Sequence, residues 1–329
     1  WSGRRLWSAS AQVRRDAHAA AGPARPSHAP AVPHLLVPGL RYAIAATPRV
    51  IDLDGDGELD LVYVADTGGQ LWRFAFERGA PASRAARATR IAALGGAGAA
   101  DRRFHAEPDV AQVVSGPGTP YLAVTLGSGA AAEPLDLRRA DRLYSIREPL
   151  DAYGRPRDTA TAVTDAELPE ANGPPLGPEA RGWKRTLSLA GEKILVPALT
   201  VDHVAHVPAY APPAEPLAPD CTRRPGTNRL HAIDVRDGRA VPARAARDAR
   251  AGRSTAVAGD GGAGADGAAP APLVAGGPAP ALTLAVLAPA ADCSSGCVSQ
   301  AVGLVGAEAF SVPWPGRVVR TGWAEREPR

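Results

Sequence analysis

The chain has 329 residues, 45% of them hydrophobic, and a formal net charge of +3. This is enough apolar side chain for one large or two ordinary buried cores, which excludes a disordered chain. No apolar run reaches the ~18 residues of a membrane-crossing helix. The cations exclude a nucleic-acid binder: they are almost all Arg scattered among Ala, Gly and Pro, with Lys only at Lys184 and Lys193.

Residues 1–39 read as a linker or divergent upstream region, rich in Arg, Ala and Pro. The opening Trp1-Ser2-Gly3-Arg4-Arg5 lacks the apolar stretch of a secretory signal, and there is no Met. The chain is therefore expected to be a fragment whose targeting signal lies upstream. From Leu40 onward, over 40–329, short apolar runs are bounded by Gly, Pro, Asp or Asn: Tyr42–Ala45, Leu61–Ala65, Gln70–Phe76, Tyr121–Leu126, Arg142–Ile146, Lys193–Leu199, His203–Val207 and Arg229–Val235. Their lengths predict strands, and the Asp-Gly, Gly-Gly and Thr-Gly turns between them predict an all-β protein. Pro-rich, charged loops are expected over Glu148–Glu179 and Ala211–Arg224. A low-complexity insertion is expected at about 239–280, before strand character resumes at Leu282–Leu287 and Val298–Val305.

A weak internal repeat narrows the architecture. Gly68-Gly69-Gln70-Leu71-Trp72-Arg73-Phe74, Ala140-Asp141-Arg142-Leu143-Tyr144-Ser145-Ile146 and Thr227-Asn228-Arg229-Leu230-His231-Ala232-Ile233-Asp234 share a turn, a Leu, an aromatic or His, and an apolar end. This is the pattern of the later strands in quinoprotein-like propeller blades. The expectation is a quinoprotein-like β-propeller, a partial ring of several four-stranded blades with long loops. The copies are spaced at nearly twice the usual blade period of about 40–45 residues. Either alternate blades have lost the signature or loops are inserted.

Asp52-Leu53-Asp54-Gly55-Asp56-Gly57-Glu58-Leu59-Asp60 carries the chemistry. Carboxylates at positions 1, 3, 5 and 9 of a nine-residue loop can turn inward around one hard cation, and Ca2+ takes six to eight oxygens. Gly57 permits the bend after the third ligand. Glu58 is expected to contribute its backbone carbonyl, and Asp60 to close the shell. Position 12, where an EF-hand needs Glu, is Tyr63, and both flanks read as strands. The loop is therefore the short inter-strand kind found in propellers. A solvated acidic turn is the alternative, but four carboxylates in nine residues repel one another without a cation. Mg2+ fits less well because it demands rigid octahedral geometry.

The segment from Ile51 through this loop to Val62-Tyr63-Val64-Ala65-Asp66 and Gly69-Gln70-Leu71-Trp72-Arg73-Phe74 resembles the signature of PilY-type pilus proteins. Further matches follow in order: Phe104 with Pro108-Asp109-Val110, Leu126-Gly127-Ser128-Gly129, Asp141-Arg142-Leu143-Tyr144, Gly182-Trp183-Lys184, Gly191-Glu192-Lys193-Ile194-Leu195, Cys221 with Leu230–Asp234, and Arg317 with Trp323. One departure is Ala130-Ala131-Ala132-Glu133, where that family tends to have Arg and His. There is also no Arg-Gly-Asp, so no integrin-binding expectation carries over. The resemblance implies a non-enzymatic, exported protein of the outer membrane, cell surface or pilus tip, peripheral to the membrane rather than spanning it. It implies pilins or minor pilins as partners and host or abiotic surfaces as adhesion targets. It also implies calcium control of pilus extension against retraction, and twitching motility. By position, Asp52, Asp54, Asp56 and Asp60 inherit the ligand role, with Glu58 acting through its backbone.

Other signals are weaker. Gly262–Gly267 is a literal GxGxxG without a preceding strand. Gly127-Ser128-Gly129 reads as a turn rather than a nucleophile elbow. His203 and His206, three apart on an expected strand, point to opposite faces and cannot chelate together. Asp66 is expected to cap the turn before Trp72. Trp72, Tyr144 and Trp183 are expected to pack in the core. Among Cys221, Cys293 and Cys297, the odd count suggests one bridge and one further thiol. Two other readings are a generic extracellular adhesion propeller, which predicts several Asp loops where one complete copy is found, and a quinone-dependent dehydrogenase.

Overall fold

A computed structural model describes residues 7–12, 34–77, 86–114, 119–159, 161–171, 176–177, 179–215, 226–241, 271–273, 278, 281–287, 300–305 and 308–312. Several strands, β4, β5 and β8 among those given below, follow runs of Val, Leu and aromatic residues, which suit a pleated surface. β1 (Ser8–Ser10) and β2 (His34–Leu36) pair in parallel. The first blade contains β3 (Arg49–Ile51), β4 (Leu61–Ala65), β5 (Gln70–Phe76) and β6 (Ala86–Ala93) as an antiparallel meander. The second contains β7 (Asp109–Val113), β8 (Tyr121–Gly127), β9 (Arg142–Pro149) and β11 (Gly182–Thr186). Between β9 and β11, β10 (Val163–Thr164) leaves its own blade and adds in parallel to β6. The third blade is β12 (Leu199–Val201), β13 (Val204–Ala211), β14 (Thr227–Asp234) and β15 (Ala271–Leu273). A final three-stranded sheet comprises β16 (Leu282–Leu287), β17 (Gln300–Val305) and β18 (Glu308–Val312).

The cores lie between blades rather than inside one layer. Side chains alternate across a strand, so a sheet buried on both faces feeds two cores. On β4, Leu61, Tyr63 and Ala65 enter the seam with the second blade, where they meet Leu122, Val124 and Leu126 of β8 and Tyr144 and Ile146 of β9. From the same strand, Val62 and Val64 turn the other way, joining Trp72 and Phe74 against Val37, Leu35 and Trp7. Trp7 meets Phe74 edge-on with centroids 5.6 Å apart. Residues 7–9 and 35–37, within the stretch read as a linker or divergent upstream region, thus lie against the outer face of the first blade. Ala123 and Leu143 point into the next seam, against Ala205, Val207 and Ala209 of β13 and Ile233 of β14. Leu230 in turn packs on Val305 and Val312 of the final sheet. This stacking of small meanders is an all-β, propeller-like arc.

Several expectations change, and the expected loop over Glu148–Glu179 and the expected insertion at about 239–280 hold β10 and β15. Tyr42–Ala45 is not a strand: its carbonyl at Ala43 accepts one bond from Thr67 N–H at 2.9 Å, and the segment lies alongside the β4–β5 turn without a ladder. Lys193–Leu199 makes a single bridge, Lys193 to Tyr210, before β12 begins. His203 is not on the strand. It and Asp202 carry φ of 65° and 48° and form the two-residue turn between β12 and β13, the positive-φ geometry that matches hairpin twist. Residues 242–270 of the expected insertion, Val298–Ser299, Cys221, Cys293, Cys297, Gly262–Gly267, Arg317 and Trp323 lie outside the described residues.

Candidate metal site

Between β3 and β4 the acidic segment closes on itself. Asp52 accepts from two backbone amides, Gly55 N–H at 2.7 Å and Gly57 N–H at 2.9 Å, one on each carboxylate oxygen. Asp54 Oδ1 accepts from Asp56 N–H at 3.2 Å, and Asp60 Oδ2 from Leu53 N–H at 2.7 Å. Gly55 and Gly57 have φ of 75° and 86°, which a side chain adopts at a cost. These bends bring one oxygen each from Asp52, Asp54 and Asp60 within 4.8 Å of one another. Asp56 and Glu58 fall outside that group: Asp56 Oδ1 instead accepts from Glu58 N–H at 2.7 Å.

The donor set fits a divalent cation. With Ca–O distances of 2.3–2.6 Å, ligand oxygens on one ion lie at most about 5 Å apart. The three carboxylate oxygens, within 4.8 Å of one another, lie inside that span. Each carboxylate oxygen keeps a second lone pair after accepting an amide hydrogen. Hard oxygen ligands alone suit Ca2+ or Mg2+ and not a thiophilic metal.

The loop is tied to the interior at both ends. Ile51 and Leu53 pack against the seam between the first and second blades. Asp60 N–H bonds the Ile51 carbonyl at 3.0 Å, and its own carbonyl accepts from Phe76 N–H at 2.7 Å at the end of β5. Position 60 therefore links three strands of one blade.

Asp66 behaves as its sequence position predicts. Its Oδ1 accepts from Gly68 N–H at 2.9 Å and Gln70 N–H at 3.0 Å, and its Oδ2 from the Trp72 indole at 3.2 Å. Burial pushes its pKa up, against these hydrogen bonds. Ser128 is structural: its hydroxyl donates to Asp141 at 2.6 Å inside the fold. Its neighbour Gly127 leaves room for a crossing segment, since a Cβ there would sit 2.4 Å from Ile194. The Trp183 indole donates to the Val235 carbonyl at 2.9 Å, pinning the second blade to the third. His206 is buried, and desolvation lowers its pKa to about 4.

Sequence reading missed a polar cluster in the first seam. Arg73 on β5 meets Glu148 on β9 at 2.5 Å and Asp158 at 2.5 Å, and the Tyr63 hydroxyl donates to Glu148 at 2.5 Å. Burial pushes the Glu148 carboxyl above the ordinary carboxylate range, against the pull of Arg73 and Tyr63. Burial likewise raises the Tyr63 phenol, helped by the charge of Glu148. The available signal was an Arg between Trp72 and Phe74 on an apolar strand, a cation that must find an anion when buried.

No family model matches the sequence, and no curated protein does. Among solved structures, the Pseudomonas aeruginosa PilY1 C-terminal domain is similar, with a TM-score of 0.55 and 17% identity. The match covers 81% of this chain and 60% of that one, so the chain spans about three fifths of the length of its structural neighbour. Most of the chain thus shares the fold of that domain.

Proposed function

We propose that the chain is a non-catalytic, calcium-binding propeller module of a cell-surface adhesin. The observation that carries this reading is the convergence of Asp52, Asp54 and Asp60 on one span of 4.8 Å, at a hairpin of a blade whose stacking resembles that of the PilY1 domain. Asp52, Asp54 and Asp60 would hold the ion. Asp56 and the Glu58 carbonyl would complete the shell, together with water. The ion supplies positive charge that offsets mutual carboxylate repulsion, and it fixes a loop whose residues Ile51 and Leu53 sit in an inter-blade seam. The module thereby keeps a defined outer surface for contact with other molecules. No helix among the described residues is long and apolar enough to cross a membrane. Export to the cell surface, peripheral to the outer membrane, is the setting proposed.

A more specific reading is a role in type IV pilus assembly, extension against retraction, and twitching, with pilins or minor pilins as partners. The ordered sequence resemblance over roughly Leu40 to Trp323 favours it. The two readings separate in cells carrying Asp52→Ala in the full-length protein. Loss of surface attachment with normal twitching supports the adhesin alone, loss of both supports the pilus role, and no change in either contradicts both.

A further inference from the structure

β7 and β12 are edge strands of the second and third blades and lie beside each other. Between them sits a buried carboxylate. Asp109 opens β7 and is 7% exposed. It shares a face with Val113, which packs in the seam between these two blades. Its cross-strand partner is Thr125 on β8, and Thr125 stands opposite Ser145 on β9. Val124, Leu126, Tyr144 and Ile146 fill the first seam, so Thr125 and Ser145 turn to the second with Asp109. Thr200 on β12 faces them from the third blade, since its neighbour Val201 turns toward the final sheet. A carboxylate and three hydroxyls thus gather between apolar layers. Their spacing is wider than good hydrogen bonding. Thr125 donates to Ser145 Oγ at 3.4 Å, beyond the usual O–H···O range of about 2.5–3.0 Å. Burial pushes the Asp109 carboxyl above its ordinary range, against the nearby Thr200 hydroxyl and amide. Yet neither Asp109 Oδ2 nor Thr200 Oγ1, both buried, makes a hydrogen bond among the described residues. Asp109 makes no ion pair among them either. Arg49, the cation that acts on it, is bonded to Glu107 at 3.3 Å.

We infer that Asp109, Thr125 and Thr200 form a site for a monovalent alkali cation between the second and third blades. Oxygens that share one ion stand further apart than oxygens that share a proton, which is the spacing found here. The donors are all hard oxygens, the kind that takes alkali and alkaline-earth cations rather than thiophilic metals. Charge decides between those two groups. One carboxylate balances one positive charge, whereas a divalent ion would leave a net charge buried in the seam, where it is costly. A proton would also neutralise Asp109, but it joins only one pair of oxygens and leaves the other hydroxyls unbridged. The inference is independent of the acidic loop, because no residue of Asp52–Asp60 takes part.

The test is melting of the 329-residue chain in EDTA, with NaCl, KCl or choline chloride at equal ionic strength, and sodium NMR linewidths alongside. The expected result is a saturable rise in melting temperature of roughly 2 °C or more in NaCl or KCl over choline chloride. The salt that gives the larger rise identifies the preferred ion. The parent protein should broaden the sodium line, and added KCl should reverse that. Asp109→Asn should abolish the cation dependence and Thr200→Val should weaken it, while Asp52→Asn/Asp60→Asn should leave it unchanged. The NMR reading needs only the parent protein, so it decides the matter even where Asp109→Asn does not fold. Equal melting in all three salts, a rise that survives in Asp109→Asn, or an unbroadened sodium line overturns the inference and leaves Asp109 to a proton or water.

Discussion

Arg73 and Glu148 lie 75 residues apart in sequence and meet at 2.5 Å across the first inter-blade seam, each side chain 2% exposed. Such a pair adds little over a well-packed apolar one, but breaking it strands a buried charge. Arg73→Met strands Glu148 and should destabilise the fold by about 3–5 kcal/mol, Glu148→Gln, which leaves Arg73 on Asp158, should cost less, and the double variant Arg73→Met/Glu148→Met should recover part of the larger loss. Urea unfolding of the four proteins checks this. Additive losses would mean that the two groups act separately.

The crossing of Gly127 under Ile194 is a steric stitch between the second and third blades, reinforced by Ile194 N–H on the Ser128 carbonyl at 2.9 Å. Gly127→Ala forces backbone movement, because the clash reaches the Ile194 Cβ itself. A loss of about 2 kcal/mol or more is expected in thermal or urea unfolding.

His206 predicts an acid limb. Its folded pKa of about 4 lies below the ordinary 6.5, so the unfolded chain binds the extra proton. The stability it contributes is complete above about pH 6.5 and is lost as pH falls toward 4, amounting to about 3 kcal/mol. His206→Leu should flatten that part of the stability-against-pH curve, measured by urea midpoint between pH 7 and 4. An unchanged slope would assign the acid limb to other groups.

Some of this was legible because local chemistry and tertiary position agree. Leu61–Ala65 and Gln70–Phe76 are aromatic and apolar runs between Gly and Asp turns, and they form β4 and β5 over the same residues. β6 was not legible: Ala86–Ala93 is mostly Ala and Arg, which have little intrinsic strand preference, and it is held by pairing with β5. β10 exists because the β9–β11 connection reaches back to β6, a parallel contact that no local pattern encodes. His203 was misplaced because Asp202 and His203 adopt turn geometry usually left to Gly and Asn. The acidic segment was legible as a turn between two strands, yet which carboxylates converge depends on how Gly55 and Gly57 bend it. That bend gathers Asp52, Asp54 and Asp60 and leaves Asp56 aside.

The most direct test of the metal reading is calorimetric titration of the purified chain with CaCl2, paired with melting curves. The expected result is one binding event at up to millimolar Ca2+ and a higher melting temperature. At a hundredfold excess over the dissociation constant, the gain in stability is about 2.7 kcal/mol. Both signals should vanish in Asp52→Asn/Asp60→Asn, and Mg2+ should compete poorly. No heat and no shift at millimolar Ca2+, or signals that survive in the double variant, would contradict a cation site between β3 and β4.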